Sequence, residues 1–141
     1  MEVSERLKAL WNWRMSEASI QAEEMHAFGW WFGSGRMDPD WSLQILTRLL
    51  SASVLPEPDY MVTERLAVIA EEQPLKAVQS LDWLIELAPE GWTIHGWLDS
   101  AQVILEAALE SVDTEAKERA ERVIHRLGAL RFREFRTLLQ R

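Results

Sequence analysis

Apolar residues recur every three or four positions along nearly all of this 141-residue chain. No stretch alternates polar with apolar side chains as a half-buried strand would. That rhythm restricts the chain to helices packed on helices, so the expected class is all-α. The first helix is expected from about Val3 to Arg14, with Val3, Leu7, Leu10 and Trp11 on one face. Ser16 or Ser19 caps a second, whose stripe is Ala22, Met25, Gly29 and Phe32. The third buries Trp41, Ile45, Leu46 and Leu49, and the fourth, from Pro58 or Asp59, buries Val62, Leu66 and Ile69. Val78, Leu81, Ile85 and Ala88 mark the inner face of a fifth helix. Ala101, Leu105, Ala108 and Val112 mark a sixth, and Ala116, Ala120, Val123 and Leu127 a seventh. Phe132, Phe135 and Leu139 line a short final one.

The punctuation between stripes agrees. In "DPDW", Asp38 suits an N-cap, Pro39 the first helical position and Asp40 the positive end of the helix dipole. "VLPEPD" breaks the third helix, Pro74 opens the fifth, and Pro89 with Gly91 stops it. "PEGWTIHG" then reads as an eight-residue connection. Asp113 caps the seventh helix and Gly128 stands in its last turn.

Two of the stripes return. Val62, Leu66 and Ile69 match Ala101, Leu105 and Ala108 at an offset of 39, and Val78, Leu81 and Ile85 match Ala120, Val123 and Leu127 at 42. A period near forty built from two antiparallel helices is the signature of HEAT-type arrays. Residues 1–141 are therefore expected to form a single domain of antiparallel helix pairs stacked as a short HEAT-like right-handed repeat array. The second and third helices make a less regular first pair, and the terminal helices cap the stack. A closed helical bundle is the alternative layout.

Composition narrows the chemistry. Zero cysteines exclude disulfides, thiolate metal sites and cysteine nucleophiles. The absence of a leader pattern, and of any long uncharged apolar run, leads to the expectation of a cytoplasmic protein with no membrane partner. The net charge of -8 is unevenly spread. Residues 1–116 hold 7 Lys/Arg against 20 Asp/Glu, whereas residues 117–141 hold 8 against 3. An acidic body disfavours broad phosphate contact, while the basic C-terminal end suits an acidic protein surface.

"FGWWFGSGRMDPDW", "GWTIHGWLDSAQVILEAAL" and "HRLGALRFREFRTLL" together resemble an uncharacterised helical, HEAT-like segment at the C-terminus of large bacterial multidomain proteins. Some of those proteins carry a sirtuin-like or P-loop NTPase module upstream, in a phage-defence setting. The resemblance spans about residues 20 to 141 and rests on the spacing of Trp, Gly and small apolar residues. It implies a helical scaffold at the end of a larger protein, with the chemistry on another domain. It carries over no catalytic residue.

Read residue by residue, the chain offers no reaction centre. Gly29, Gly33 and Gly35 fit neither a P-loop nor a dinucleotide fingerprint, because no Lys-Ser/Thr follows and the segment before them is helical. The expectation is that Gly29 permits close helix approach while Gly33 and Gly35 end the helix. Glu23–His26 has the E-x-x-H spacing of carboxylate-bridged di-iron bundles, which need two such motifs, and the chain has one. Glu121 and His125 share a helix face, as a surface hydrogen bond would require. The acid pairs Glu23–Glu24 and Glu71–Glu72 are expected on solvated helix faces.

Eight tryptophans against one tyrosine is the unusual feature. Trp rings supply large area and one N–H, which suits core ends and binding surfaces alike. Trp30, Trp31, Trp92 and Trp97 are the candidate partner contacts, with Arg122 and Arg126 as electrostatic guides. Trp97→Ala is accordingly expected to weaken partner binding more than stability. Arg119, Arg122 and Arg126 share a face of the seventh helix, and pairing with the acidic body, or docking to an acidic partner, is favoured over nucleic-acid contact.

The leading expectation is a non-enzymatic helical scaffold for protein–protein interaction, with no metal or cofactor. Its partner is another protein or an upstream domain of the same polypeptide. Nucleic-acid binding through the arginine-rich end is one alternative. A small hydrolase using His95 is another.

Overall fold

The computed structural model describes residues 5–6, 28–35, 38–53, 56, 58–88 and 91–140. Among the described residues every regular element is helical and no strand occurs. In order they are α1 (Phe28–Gly33), α2 (Pro39–Ser51), α3 (Asp59–Ile69), α4 (Pro74–Leu87), α5 (Gly91–His95), α6 (Leu98–Glu110), α7 (Thr114–Ala129) and a 3-10 helix, η1 (Arg133–Gln140). Glu5 and Arg6 are helical and exposed, in keeping with a first helix there. Val3, Leu7, Leu10, Trp11, Ala22, Met25 and the Glu23, Glu24 and His26 positions lie outside the described residues. The chain divides into two compact units, Met1–Arg65 and Leu66–Arg141.

In the first unit, Phe28 and Phe32 of α1 are buried one turn apart, their rings tilted by 41° with centroids 6.0 Å apart. Gly33 ends α1, and Gly35 follows at φ +71°, a conformation open to glycine at little cost. The start of α2 follows its sequence closely. Asp38 accepts a hydrogen bond from the Trp41 N–H at 3.1 Å and Pro39 takes the first turn. Leu43, Ile45, Leu46, Leu49 and Leu50 are buried, as is Val62 on α3. Trp41 departs from expectation, because its place in the first turn leaves it only half-buried.

The second unit is built on α4, α6 and α7, each packed against the other two. Val78, Leu81, Leu84 and Ile85 come from α4, Ala101, Ile104, Leu105 and Ala108 from α6, and Ala116, Ala120, Val123, Ile124 and Leu127 from α7. The alanines at 0–2% exposure show why small residues recur in these stripes: they let helix axes approach closely. Asp113 caps α7 through hydrogen bonds from the Glu115 and Ala116 N–H groups at 2.9 and 3.4 Å. Asp82 of α4 reaches across to α7, where Arg126 and Arg119 donate to its two oxygens at 2.9 and 3.0 Å. Of the two uses expected for the arginine face, pairing with acid is present at two of its three members.

Four local expectations are corrected here. "PEGWTIHG" is not wholly a loop, because Gly91–His95 forms α5 and buries Ile94. Val112 lies past the end of α6 and is 98% exposed, so it does not continue the inner stripe. Ala88 caps α4 in extended conformation and is half-buried. At the C-terminus the buried pair is Phe135 and Leu138 instead of Phe135 and Leu139. In a 3-10 helix residues three apart eclipse one another, so the inward face follows a period of three.

Between α7 and η1 the chain closes a Schellman motif. The Phe132 N–H donates to the Leu127 carbonyl at 2.8 Å and the Arg131 N–H to that of Gly128 at 3.0 Å. Arg131 thereby takes φ +77°, the left-handed region that disfavours a Cβ. Arg131→Gly is expected to stabilise the protein by about 0.5 to 1 kcal/mol, the relief of strain less glycine's extra unfolded-state entropy. A rise in the urea midpoint with an unchanged slope would register it. No change would mean that the turn is not held as described.

Candidate functional site

The four candidate tryptophans part company. Trp30, on α1 between buried Gly29 and half-buried Trp31, is 60% exposed. Consecutive helical residues point about 100° apart, so a helix that buries Phe28, Gly29 and Phe32 turns Trp30 outward. Trp31 is half-buried, and its carbonyl accepts the Ser34 hydroxyl at 2.7 Å. Trp92 stands in α5, with its side chain outside what the structure describes. Trp97 is only 1% exposed. Its backbone N–H donates to the Ile94 carbonyl at 2.8 Å at the join of α5 and α6, and the ring is buried in the core. It packs the interior and offers a partner no surface, contrary to the expectation.

The arginines divide as well. Arg122 is exposed. Arg126 is held by Asp82 with 39% of its side chain accessible, which limits it as a guide for an incoming partner. Arg119 is held by the same carboxylate, at 29%. Arg136, on η1, lies over Gly128, where a Cβ would fall 2.8 Å from its Nε.

His95 ends α5 and is exposed, and it lines neither of the two grooves described below. His125 and Glu121 are both exposed on α7. Glu71 and Glu72 are solvated, as expected, although in a turn and not on a helix face. Among the described residues no group of three His, Asp or Glu side chains is placed to hold a metal ion. Nor, among them, is any helix long and apolar enough to cross a membrane.

The sequence reading missed two grooves in the second unit. The larger, of about 600 Å³, runs between the C-terminal end of α3 with its following turn and the outer face of α6. Val68, Val103 and Val112 line it with Glu71, Glu106 and Glu110. The three valines are 67%, 48% and 98% exposed. The smaller, of about 400 Å³, lies on the other side of Glu106 and Glu110, between α6, Lys117 and Glu121 of α7, and Leu138 and Leu139 of η1. A signal for the larger groove was present in the sequence. Val103 lies off the stripe of Ala101, Leu105 and Ala108, and Val68 off that of Val62, Leu66 and Ile69, so both helices carry apolar residues on two faces.

The chain matches no family model, no curated protein and no solved structure.

Proposed function

We propose that this protein is a non-enzymatic helical scaffold that binds another protein, or an upstream domain of the same polypeptide, through its surface. The observation that carries this is Trp30, a ring 60% exposed on a helix whose neighbouring face is buried. Tryptophan is highly buried on average, and when it stands on a surface it is the residue most enriched among binding hot spots. Arg119 and Arg126 are occupied by Asp82, which favours a protein partner over nucleic acid. The finer architecture belongs to the same proposal: α3 with α4, and α6 with α7, are successive pairs of a short HEAT-like stack. The offsets of 39 and 42 support it. So does the packing of α4 against both helices of the next pair, which a closed bundle would share. A bacterial defence assembly is the setting that the family resemblance implies.

The test is co-purification from the native host with tagged wild-type chain and with Trp30→Ala. Loss of a hot-spot tryptophan is expected to cost about 2 kcal/mol of binding, roughly 30-fold in Kd, with stability altered by no more than about 0.5 kcal/mol. Equal recovery of the same partner by both proteins would remove Trp30 from the interface.

A further inference from the structure

We propose that η1 is an exchangeable segment, which leaves its seat on α7 and docks in the same seat of a second copy, joining two chains as a swapped dimer. Seat, hinge and segment all lie in the second unit, apart from Trp30.

The segment keeps its shape through its seat. Arg133–Gln140 is a 3-10 run of eight residues, long for a geometry whose hydrogen bonds are poorer than those of an α-helix. Its local stability is therefore small, and docking on α7 supplies the rest. Phe135 and Leu138 are its buried anchors, while Arg133, Glu134, Arg136 and Thr137 face water. Beside them, Leu138 and Leu139 share with Leu109, Lys117 and Glu121 a groove that η1 fills only in part. Release withdraws two anchors and leaves the mutual packing of α4, α6 and α7 in place.

The connection favours release. Leu130, Arg131 and Phe132 are all that separate α7 from η1. Folding η1 back within one chain sets Arg131 at φ +77°, where a Cβ crowds the backbone. Leu130 and Arg131 are both exposed, so no packing opposes their rotation. Opening trades the turn's two hydrogen bonds for water, a change of small net free energy. In the swapped arrangement the hinge extends, Arg131 returns to negative φ and the strain is lost. A short hinge under strain is the arrangement that invites exchange.

The seat itself names the occupant. Phe135 and Leu138 are buried on it, and the Arg136 guanidinium lies over Gly128, where a Cβ would fall 2.8 Å from its Nε. It is matched to this sequence, so the segment that satisfies it in full is a second η1. Each copy then regains every contact of the seat that it gave up.

The experiment measures the mass of the full chain by light scattering after size exclusion, over about 10 µM to 1 mM, once refolding from urea has let segments exchange. The wild type is expected to pass from monomer to dimer as concentration rises. Arg131→Gly accepts the closed turn without strain, and each dimer contains two hinges, so its Kd should rise about tenfold. Arg131→Ala keeps the Cβ and removes the charge, so it should dimerise as the wild type does. In dimers refolded from mixed isotope-labelled and unlabelled chains, NMR filtered for contacts between chains should report η1 of one copy against α7 of the other. A chain that stays monomeric up to about 1 mM would overturn the proposal. So would an unshifted Kd in Arg131→Gly, an equal rise in Arg131→Ala, or a dimer in which each η1 contacts only its own α7.

Discussion

Trp97→Ala is expected to lower the free energy of unfolding by about 3 to 5 kcal/mol, the range for truncating a buried aromatic. The ring is 1% exposed at the join of α5 and α6, so its removal leaves a cavity in the core there. Against a total stability of about 5 to 15 kcal/mol for a domain of ordinary size, the loss is large. It should appear as a drop in the urea midpoint with the slope preserved, and as a fall of several degrees in Tm. The position of the residue explains the size of the effect. Trp97 is the N-cap of α6, but its side chain makes no capping hydrogen bond. The ring is therefore spent on the core. If Trp97→Ala melted with the wild type while failing to recover a partner, Trp97 would be a contact residue after all and the core described here would be wrong.

Gly33→Ala should cost about 1 to 3 kcal/mol, the usual penalty for overpacking. A Cβ at Gly33 would fall 2.7 Å from the Met61 Cβ and 3.2 Å from its backbone carbonyl oxygen. Neither atom can swing aside, because both are fixed to the α3 backbone, so a helix must move. For the same reason Met61→Ala should fail to rescue the variant, as alanine keeps the offending Cβ. Gly91→Ala is the matched control. Among the described residues nothing lies within 4 Å of a Cβ there, so the change should be neutral or slightly stabilising through the unfolded state. Thermal melts of the wild type and the three variants decide the matter. Equal midpoints for Gly33→Ala and wild type would mean that α1 and α3 do not approach so closely.

These two residues also mark how far the sequence could be read. "FGWWFGSG" was legible as a helix with its stop, and Gly35 at φ +71° serves that stop. It was not legible that Gly33 is small for the sake of Met61, 28 positions downstream, because nothing local reports which helix will lie against it. Likewise "GWTIHGW" displays two tryptophans in equivalent company. The burial of Trp97 follows from where α5 and α6 meet, not from its neighbours in sequence.

What the sequence determined by itself is the described helices other than α5, and most of their inward faces. Asp38, Pro39, Pro74 and Asp113 open helices where their backbone chemistry requires, and the stripes of α3, α4, α6 and α7 are buried with one or two end positions misplaced. Helical spacing and capping are local, acting within a turn or two, so one strand of text contains them. The tertiary structure alone decided which tryptophan faces water, that Asp82 binds both Arg119 and Arg126, and that Val68 and Val103 flank one acidic groove. Each of these joins residues 35 or more positions apart or depends on which helix covers which face. Such pairings are settled by the packing of whole elements, where many weak contacts compete, and no short run of residues encodes the result.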